Sequence, residues 1–222
     1  MSPRFSRWPA PVTKTMAPSF RALVSRYLAV LAVLAIVSTA AGPPASAALA
    51  DDYRLTAWPL HAESPQFNLK DAGGRPRSLA DFRGRVVVVF FGFVHCPDAC
   101  PTELFKLALV MKQLGAVGDR IQVLFITLDP ERDTPAVLKS YVSAFDPRFV
   151  ALTGTNLEID AAAASFFVQY AKVGSGADYS IDHSTSTYVI DPAGRLRLIG
   201  GMKTTAGDYA HDLSLLAAAV PP

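Results

Sequence analysis

Cysteine is nearly absent from the 222-residue chain: Cys96 and Cys100 are the only two. That scarcity excludes an all-cysteine zinc site, because structural zinc takes four protein ligands. Histidine is scarce as well, and His61, His95, His183 and His211 make up the full set. There is no H-E-x-x-H, no P-loop and no Ser-His-Asp constellation. The common signatures of zinc proteases, P-loop nucleotidases and serine hydrolases are therefore missing. Long apolar runs are also lacking. The longest, "YLAVLAVLAIVSTAA" at 27–41, falls short of the about 20 residues a spanning helix needs.

That run belongs to a segment with a composition of its own. Residues 1–26 carry Arg4, Arg7, Lys14, Arg21 and Arg26 and no acid, and "GPPASA" ends at Ala47. A basic stretch, an apolar stretch and small residues at 45 and 47 form the three-part layout of a secretory signal. Residues 1–47 are thus read either as a cleaved signal peptide or as an uncleaved anchor tethering the protein through residues 27–41. A mitochondrial transit peptide is also basic and acid-poor, but Pro3, Pro9, Pro11 and Pro18 would break its amphipathic helix. Met16 offers a second start. No cysteine lies near residue 47, which argues against a lipid-modified end. Without the leader, the basic residues fall from 21 to 16 against 19 acids, a formal net charge of −3. Nothing basic is left to suggest nucleic acid. Residues 48–65 read as an irregular lead-in, and 66–222 are long enough for one domain with a proper core.

The remainder alternates strands and helices. "FNLKD" alternates into the turn "DAGGR", and "SLADF" is a short helical piece. "VVVVFFGF" (86–93) is an uninterrupted apolar run, expected as a fully buried strand. Pro97 and Pro101 frame a helix start, after which Leu104, Leu107, Ala108, Met111 and Leu114 form one stripe closed by Gly115 and Gly118. "IQVLFITLD" (121–129) is a second buried strand. A helix follows with Thr134 as its N-cap and Pro135 in its first turn. "FVALTG" is a short strand, and residues 156–173 read as one helix. "GSGADYSIDHSTS" (174–186) reads as a polar loop. "TYVIDPAGRLRLIGG" is a hairpin, and residues 206–219 form a last helix. The expected fold is α/β: a central mixed sheet flanked by helices, with an N-terminal extension and a terminal hairpin plus helix.

The cysteines stand where a buried strand ends and a helix begins, the end at which open α/β sheets bind ligands. A helix N-terminus lowers a thiol pKa, so both thiols are expected to be reactive. Three readings compete. Residues at i and i+4 lie about 6 Å apart, within disulfide reach, yet closing so short a loop stabilises little when even 15 residues yield about 3 kcal/mol. A redox pair is usually C-x-x-C, one residue tighter than this step. A metal clamp of two thiolates is a soft site suited to Cu(I) or zinc, and it needs a third ligand. His183, in "SIDHSTST", can supply one or be a solvated loop residue. His95 reads as a packed or pKa-tuning neighbour of Cys96, and His61 and His211 as surface residues. Asp98 reads as a helix cap or a tuner of the site. Met202 reads as a packing residue, with a thioether donor to copper as the alternative. In "LDPERDTP", turn and cap logic accounts for the pattern.

Three segments, "GFVHCPDACPTEL", "TLDPERDTP" and "DYSIDHSTSTYVIDPAGR", together resemble the Sco/SenC family of copper chaperones over about residues 85–200. "SLADFRGRVVVVFFG" resembles the wider peroxiredoxin and thioredoxin-like superfamily. The resemblance implies a thioredoxin-like fold and an exported copper-binding domain, with Cys96, Cys100 and His183 as ligands of Cu(I), Cu(II) or both. It implies a role in assembling the binuclear copper centre of cytochrome c oxidase, with a copper-accepting oxidase subunit and a thiol-reducing protein as partners. The implied location is the bacterial periplasm or the outer face of the cytoplasmic membrane, with the mitochondrial intermembrane space as the other setting. Val94 departs from the threonine often expected there, and "ASA" at 45–47 leaves the tether common in the family open. The proline that faces the cysteines in thioredoxins is replaced by "DHSTST". A thiol-disulfide reductase acting through a Cys96–Cys100 redox pair is the rival reading, and a peroxiredoxin a more distant one.

Overall fold

The computed structural model describes residues 52–58 and 64–218. In chain order its elements are β1 (Thr56–Ala57), β2 (Asn68–Asp71), β3 (Pro76–Ser78), a 3-10 turn (Leu79–Phe82), β4 (Val86–Gly92), α1 (Ala99–Leu114), a second 3-10 segment (Gly115–Arg120), β5 (Ile121–Thr127), α2 (Pro135–Ser143), β6 (Val150–Thr153) and α3 (Asn156–Ser165). β7 (Tyr170–Val173), β8 (Ser180–His183), β9 (Thr187–Ile190), β10 (Leu196–Gly200) and α4 (Ala206–Ala218) complete it. Eight strands form one mixed sheet in the order β1-β10-β9-β4-β5-β6-β2-β3, and β7 and β8 pair separately. The α/β reading holds: a central mixed sheet flanked by four helices, closed by the β9–β10 hairpin and α4.

Every residue of β4 and β5 is buried. The two strands run parallel in unbroken register, Val86 opposite Ile121 through Gly92 opposite Thr127. Strands covered on both faces need continuous apolar sequence, and both runs supply it. On α1, Leu104, Leu107, Val110 and Met111 face the core. Gly115 ends this helix with φ 53°, a conformation that glycine adopts without steric cost. Thr134 caps α2 by accepting the Val137 N–H, with Pro135 in the first turn, as the sequence leads one to expect.

Two stretches differ from the sequence reading. Residues 156–173 are not one helix: α3 stops at Ser165. Phe166 turns into the core, with its ring 5.3 Å from Phe91 and 5.2 Å from Tyr188. Phe167 adopts φ 58°, and the Val168 N–H closes back on the Ala163 carbonyl at 2.8 Å. A left-handed residue after a helix is usually glycine. Here a phenylalanine takes that place, so the helical pattern carries no stop signal. Residues 170–173 then pair with 180–183 as a hairpin, so the segment read as a polar loop contains a strand.

The stretch read as an irregular lead-in also carries order. β1 pairs antiparallel with β10, and Leu55 is buried. The fully buried Asp212 on α4 holds it: its carboxylate accepts the Arg54 N–H at 2.9 Å and the Leu55 N–H at 2.7 Å. Two hairpin turns share a device. Asp71 accepts the backbone N–H of Arg75 and pairs with the side chains of Arg75 and Arg77. Asp191 treats Arg195 and Arg197 the same way. "DAGGRPR" and "DPAGRLR" are thus one motif used twice. Among the described residues no helix is long and apolar enough to cross a membrane. Residues 27–41 and His61 lie outside the described residues.

Replacing Asp212 with Ala leaves two backbone donors near the core without an acceptor. The expected loss is about 2–4 kcal/mol, read as a lower urea midpoint with the slope unchanged. A midpoint within error of wild type would remove the anchor.

Candidate metal centre

β4 ends at Gly92, and the chain crosses Phe93, Val94 and His95 before Cys96. The Cys96 N–H returns to the Phe93 carbonyl at 3.2 Å. α1 begins three residues later, and the Cys100 N–H donates to Cys96 Sγ at 3.4 Å. One of the unpaired donors of the helix's first turn is thus satisfied by sulfur. Asp98 holds the N-cap position but caps no N–H; its carboxylate accepts the Thr102 hydroxyl at 3.2 Å. Cys96 is half-buried, Cys100 is fully buried, and the two are not bridged.

Gly92 explains how Cys100 comes to lie against the strand end. A Cβ on residue 92 would come within 2.7 Å of Cys100 Sγ and 2.9 Å of the Phe125 ring. A glycine closing a strand of valines and phenylalanines marks such a close approach.

His183 is the last residue of β8, not part of an open loop. Its ring stands edge-on between Phe90 and Phe93, with centroids 6.3 and 6.0 Å away. Nδ1 lies 2.8 Å from the Ser184 carbonyl. A carbonyl only accepts, so Nδ1 carries the proton and the Nε2 lone pair is free. Nε2 faces Cys100 Sγ at 3.6 Å. The ligand atoms of Cys96, Cys100 and His183 all lie within 4.8 Å of one another, the one such group of metal-binding side chains among the described residues.

Burial governs the electrostatics. It pushes the Cys100 thiol well above its ordinary range, offset only in part by a hydrogen bond to the Phe93 backbone. The expectation of two readily ionised thiols therefore fails for Cys100: desolvation exceeds the influence of the helix N-terminus. Burial also lowers the His183 imidazole, against a smaller opposing effect of the Ser184 carbonyl. Metal ligands must be neutral imidazole or thiolate. To hold a metal, His183 would need no proton change, whereas Cys100 would first have to lose its proton.

The turn after β5 shapes both halves of this centre, which the sequence reading did not anticipate. Asp133 is buried; its Oδ2 accepts the Val94 N–H at 3.1 Å and the Thr127 hydroxyl at 2.7 Å. Its Oδ1 has no hydrogen-bond partner and lies 3.9 Å from His95 Nδ1. Burial raises its carboxyl, and the Thr127 hydroxyl and Val94 N–H oppose that rise. His95 is thus a neighbour of the cluster and not a member. His211 is not a free surface residue either, since its Nδ1 lies 2.8 Å from Asp212. Met202 is exposed and does not pack in the core. Three acids at fixed spacing in "DPERD" were the signal for this turn, but cap and turn logic explains the same letters.

The SCO1/SenC family model matches residues 59–218. Mouse "Protein SCO2 homolog, mitochondrial" is 44% identical over 132 residues, covering 58% of this chain and 52% of that protein. The match thus spans about half the length of that curated relative. The structure of Bradyrhizobium japonicum ScoI with copper bound shares 37% identity at a TM-score of 0.65, covering 70% of this chain and 99% of that one. BsSco, described as having a disulfide switch and as a member of the Sco family of cytochrome c oxidase assembly proteins, shares 27% identity at a TM-score of 0.56, over 72% and 95%.

Two outcomes follow from the burial. In the native protein an alkylating reagent modifies Cys96 readily and Cys100 only after denaturation; mass spectrometry showing equal rates would contradict the buried seat. For His183, the folded value lies below the ordinary 6.5, so the unfolded chain binds more protons between the two values. Stability therefore rises with pH across that window and is lost as pH falls through the folded value. Unfolding midpoints of wild type and His183→Gln, compared across this range, should diverge most at the acid end, with the wild type losing more.

Proposed function

The chain belongs to the SCO1/SenC family, and from that premise we propose that it is a copper chaperone whose cargo is held by Cys96, Cys100 and His183. The observation that carries this reading is the convergence of two sulfurs and an imidazole Nε2 within 4.8 Å. Two thiolates and one imidazole are soft to borderline donors, and they suit Cu(I) while accommodating Cu(II). Uptake releases the thiol protons. The rings of Phe90 and Phe93 flank the imidazole, and Cys96, half-buried, is the accessible edge from which an acceptor thiolate removes the metal by ligand exchange.

The acceptor in this reading is the copper-binding subunit of cytochrome c oxidase, whose binuclear centre the protein prepares or fills. Copper-bound ScoI and the oxidase-assembly role stated for BsSco's family support it. In this reading the protein works outside the cytoplasm, in the bacterial periplasm or on the outer face of the cytoplasmic membrane. Residues 1–47 serve as signal or anchor, 27–41 as the tether, 48–65 as a lead-in, and 66–222 as the copper-binding domain.

A second reading has its own observation. Cys96 is half-buried and Cys100 fully buried, the division of labour of an attacking and a resolving thiol. Cys96 thiolate would attack a substrate disulfide, releasing one substrate thiol and holding the other in a mixed disulfide; Cys100 would then attack the Cys96 sulfur, forming the Cys96–Cys100 bond and releasing the second substrate thiol. A thiol-reducing protein would return two electrons and two protons to the pair. Such a reductase would keep oxidase copper-ligand cysteines reduced, and it does not need His183. Oxidation of the same pair abolishes copper binding, so redox state gates the chaperone.

Copper titration of the reduced protein separates the two. Wild type should retain one copper per chain after dialysis. Cys96→Ser, Cys100→Ser and His183→Ala should each weaken binding by at least roughly tenfold, the low end of what losing a metal-supporting group costs. No retained copper in wild type, with disulfide reduction intact in His183→Ala, would replace the chaperone with the reductase.

A further inference from the structure

The β7–β8 hairpin that ends in His183 belongs to no larger sheet. Two strands of four residues are marginal alone, so its position depends on what grips it. At its base, the Ser184 N–H donates to the Gln169 carbonyl at 2.9 Å, and the Gln169 N–H to Ser184 Oγ at 2.9 Å. At its far end the grip comes from the turn after β5, chiefly through Arg132. Arg132 donates through one terminal nitrogen to the Tyr179 carbonyl at 2.9 Å and the Ala177 carbonyl at 3.2 Å. Its guanidinium lies 3.6 Å from the centre of the Tyr179 ring. Arg132 Nε donates to Asp129 Oδ2 at 2.5 Å, and the Tyr179 hydroxyl to Asp129 Oδ1 at 2.5 Å. Asp129 is fully buried, so the guanidinium is oriented from below by a carboxylate that has nowhere else to go. The adjoining Lys172–Glu131 pair is exposed on both sides and adds little.

We infer that Arg132 is a positioning residue for His183: it fixes the strand that presents the imidazole, while Asp133, the next residue, fixes the cysteine loop through Val94. The inference rests on the copper reading and extends it to how tightly the cargo is kept. Tyr179 immediately precedes β8 and His183 ends it, so displacement of the gripped end reaches the imidazole through one short strand. The two cysteines, in the loop after β4 and in the first turn of α1, share no hydrogen bond with this grip. Loosening it should therefore weaken the histidine arm alone.

The test uses the full chain loaded with Cu(I), with transfer to a chromophoric Cu(I) chelator followed in wild type, Arg132→Lys, His183→Ala and the double variant. Lysine keeps the charge facing Asp129 but loses the fork and the planar stack. Arg132→Lys should release copper about tenfold faster than wild type and add nothing to His183→Ala, the signature of acting through one partner. Wild-type release from Arg132→Lys would overturn the inference, as would equal acceleration in the His183→Ala background. Tyr179→Leu removes the stacked ring from a half-buried site and carries the same test should Arg132→Lys fail to fold. If wild type itself holds no copper, the copper reading falls separately. The imidazole NMR signal of His183 in metal-free protein then decides: a shifted or broadened signal in Arg132→Lys supports the grip, and an unchanged one overturns it.

Discussion

The parallel pairing of β4 with β5 is the constraint on which the metal centre depends. Seven consecutive residue pairs in unbroken register bring Gly92 and Thr127 level at the C-terminal ends of the two central strands. The cysteine loop leaves from the first strand and the 129–133 turn from the second, so the two emerge side by side. Asp133 can then bridge them, accepting Thr127 Oγ1 on its own strand end and the Val94 N–H on the other. A slip of one residue would turn every side chain of the strand to the opposite face. Cys100 would lose its seat over Gly92.

The centre is built from unequal parts. Cys100 is fixed by burial, which disfavours its thiolate. Cys96 is half-buried and accepts the Cys100 N–H. His183 comes from a separate hairpin, with its tautomer set by the Ser184 carbonyl. A carrier must hold its cargo and also release it. In the proposed reading, two sulfurs at the strand-to-helix step and a third donor on a separate two-stranded hairpin divide those tasks physically. In the same reading the two sulfurs make the site sensitive to oxidation, because a disulfide removes the thiolates that would bind copper.

Much of this was legible in the residues. The buried runs at 86–92 and 121–127, the Thr134–Pro135 helix start and the terminal hairpin follow from period and cap chemistry, and the cysteines fall at the strand-to-helix step. His183 stood out among the four histidines as the candidate third ligand, and the family resemblance named it one, but its place on a strand was hidden because "GADYSID" reads as polar loop. The α3 stop was hidden for a different reason. A phenylalanine at φ 58° carries no sequence mark, and core packing of Phe166 supplies what local propensity does not. The roles of Asp129, Arg132 and Asp133 were masked by a simpler account of the same letters as turn and cap. Such roles are tertiary: each acid or base is explained by a partner dozens of residues away.

X-ray absorption at the copper edge of the loaded full chain tests the central claim most directly, because it counts donor atoms without relying on function. The account predicts a first shell of two sulfurs and one imidazole nitrogen, with the imidazole multiple-scattering signal missing from His183→Ala. A shell of nitrogen and oxygen alone, or an imidazole signal that persists in that variant, would contradict it.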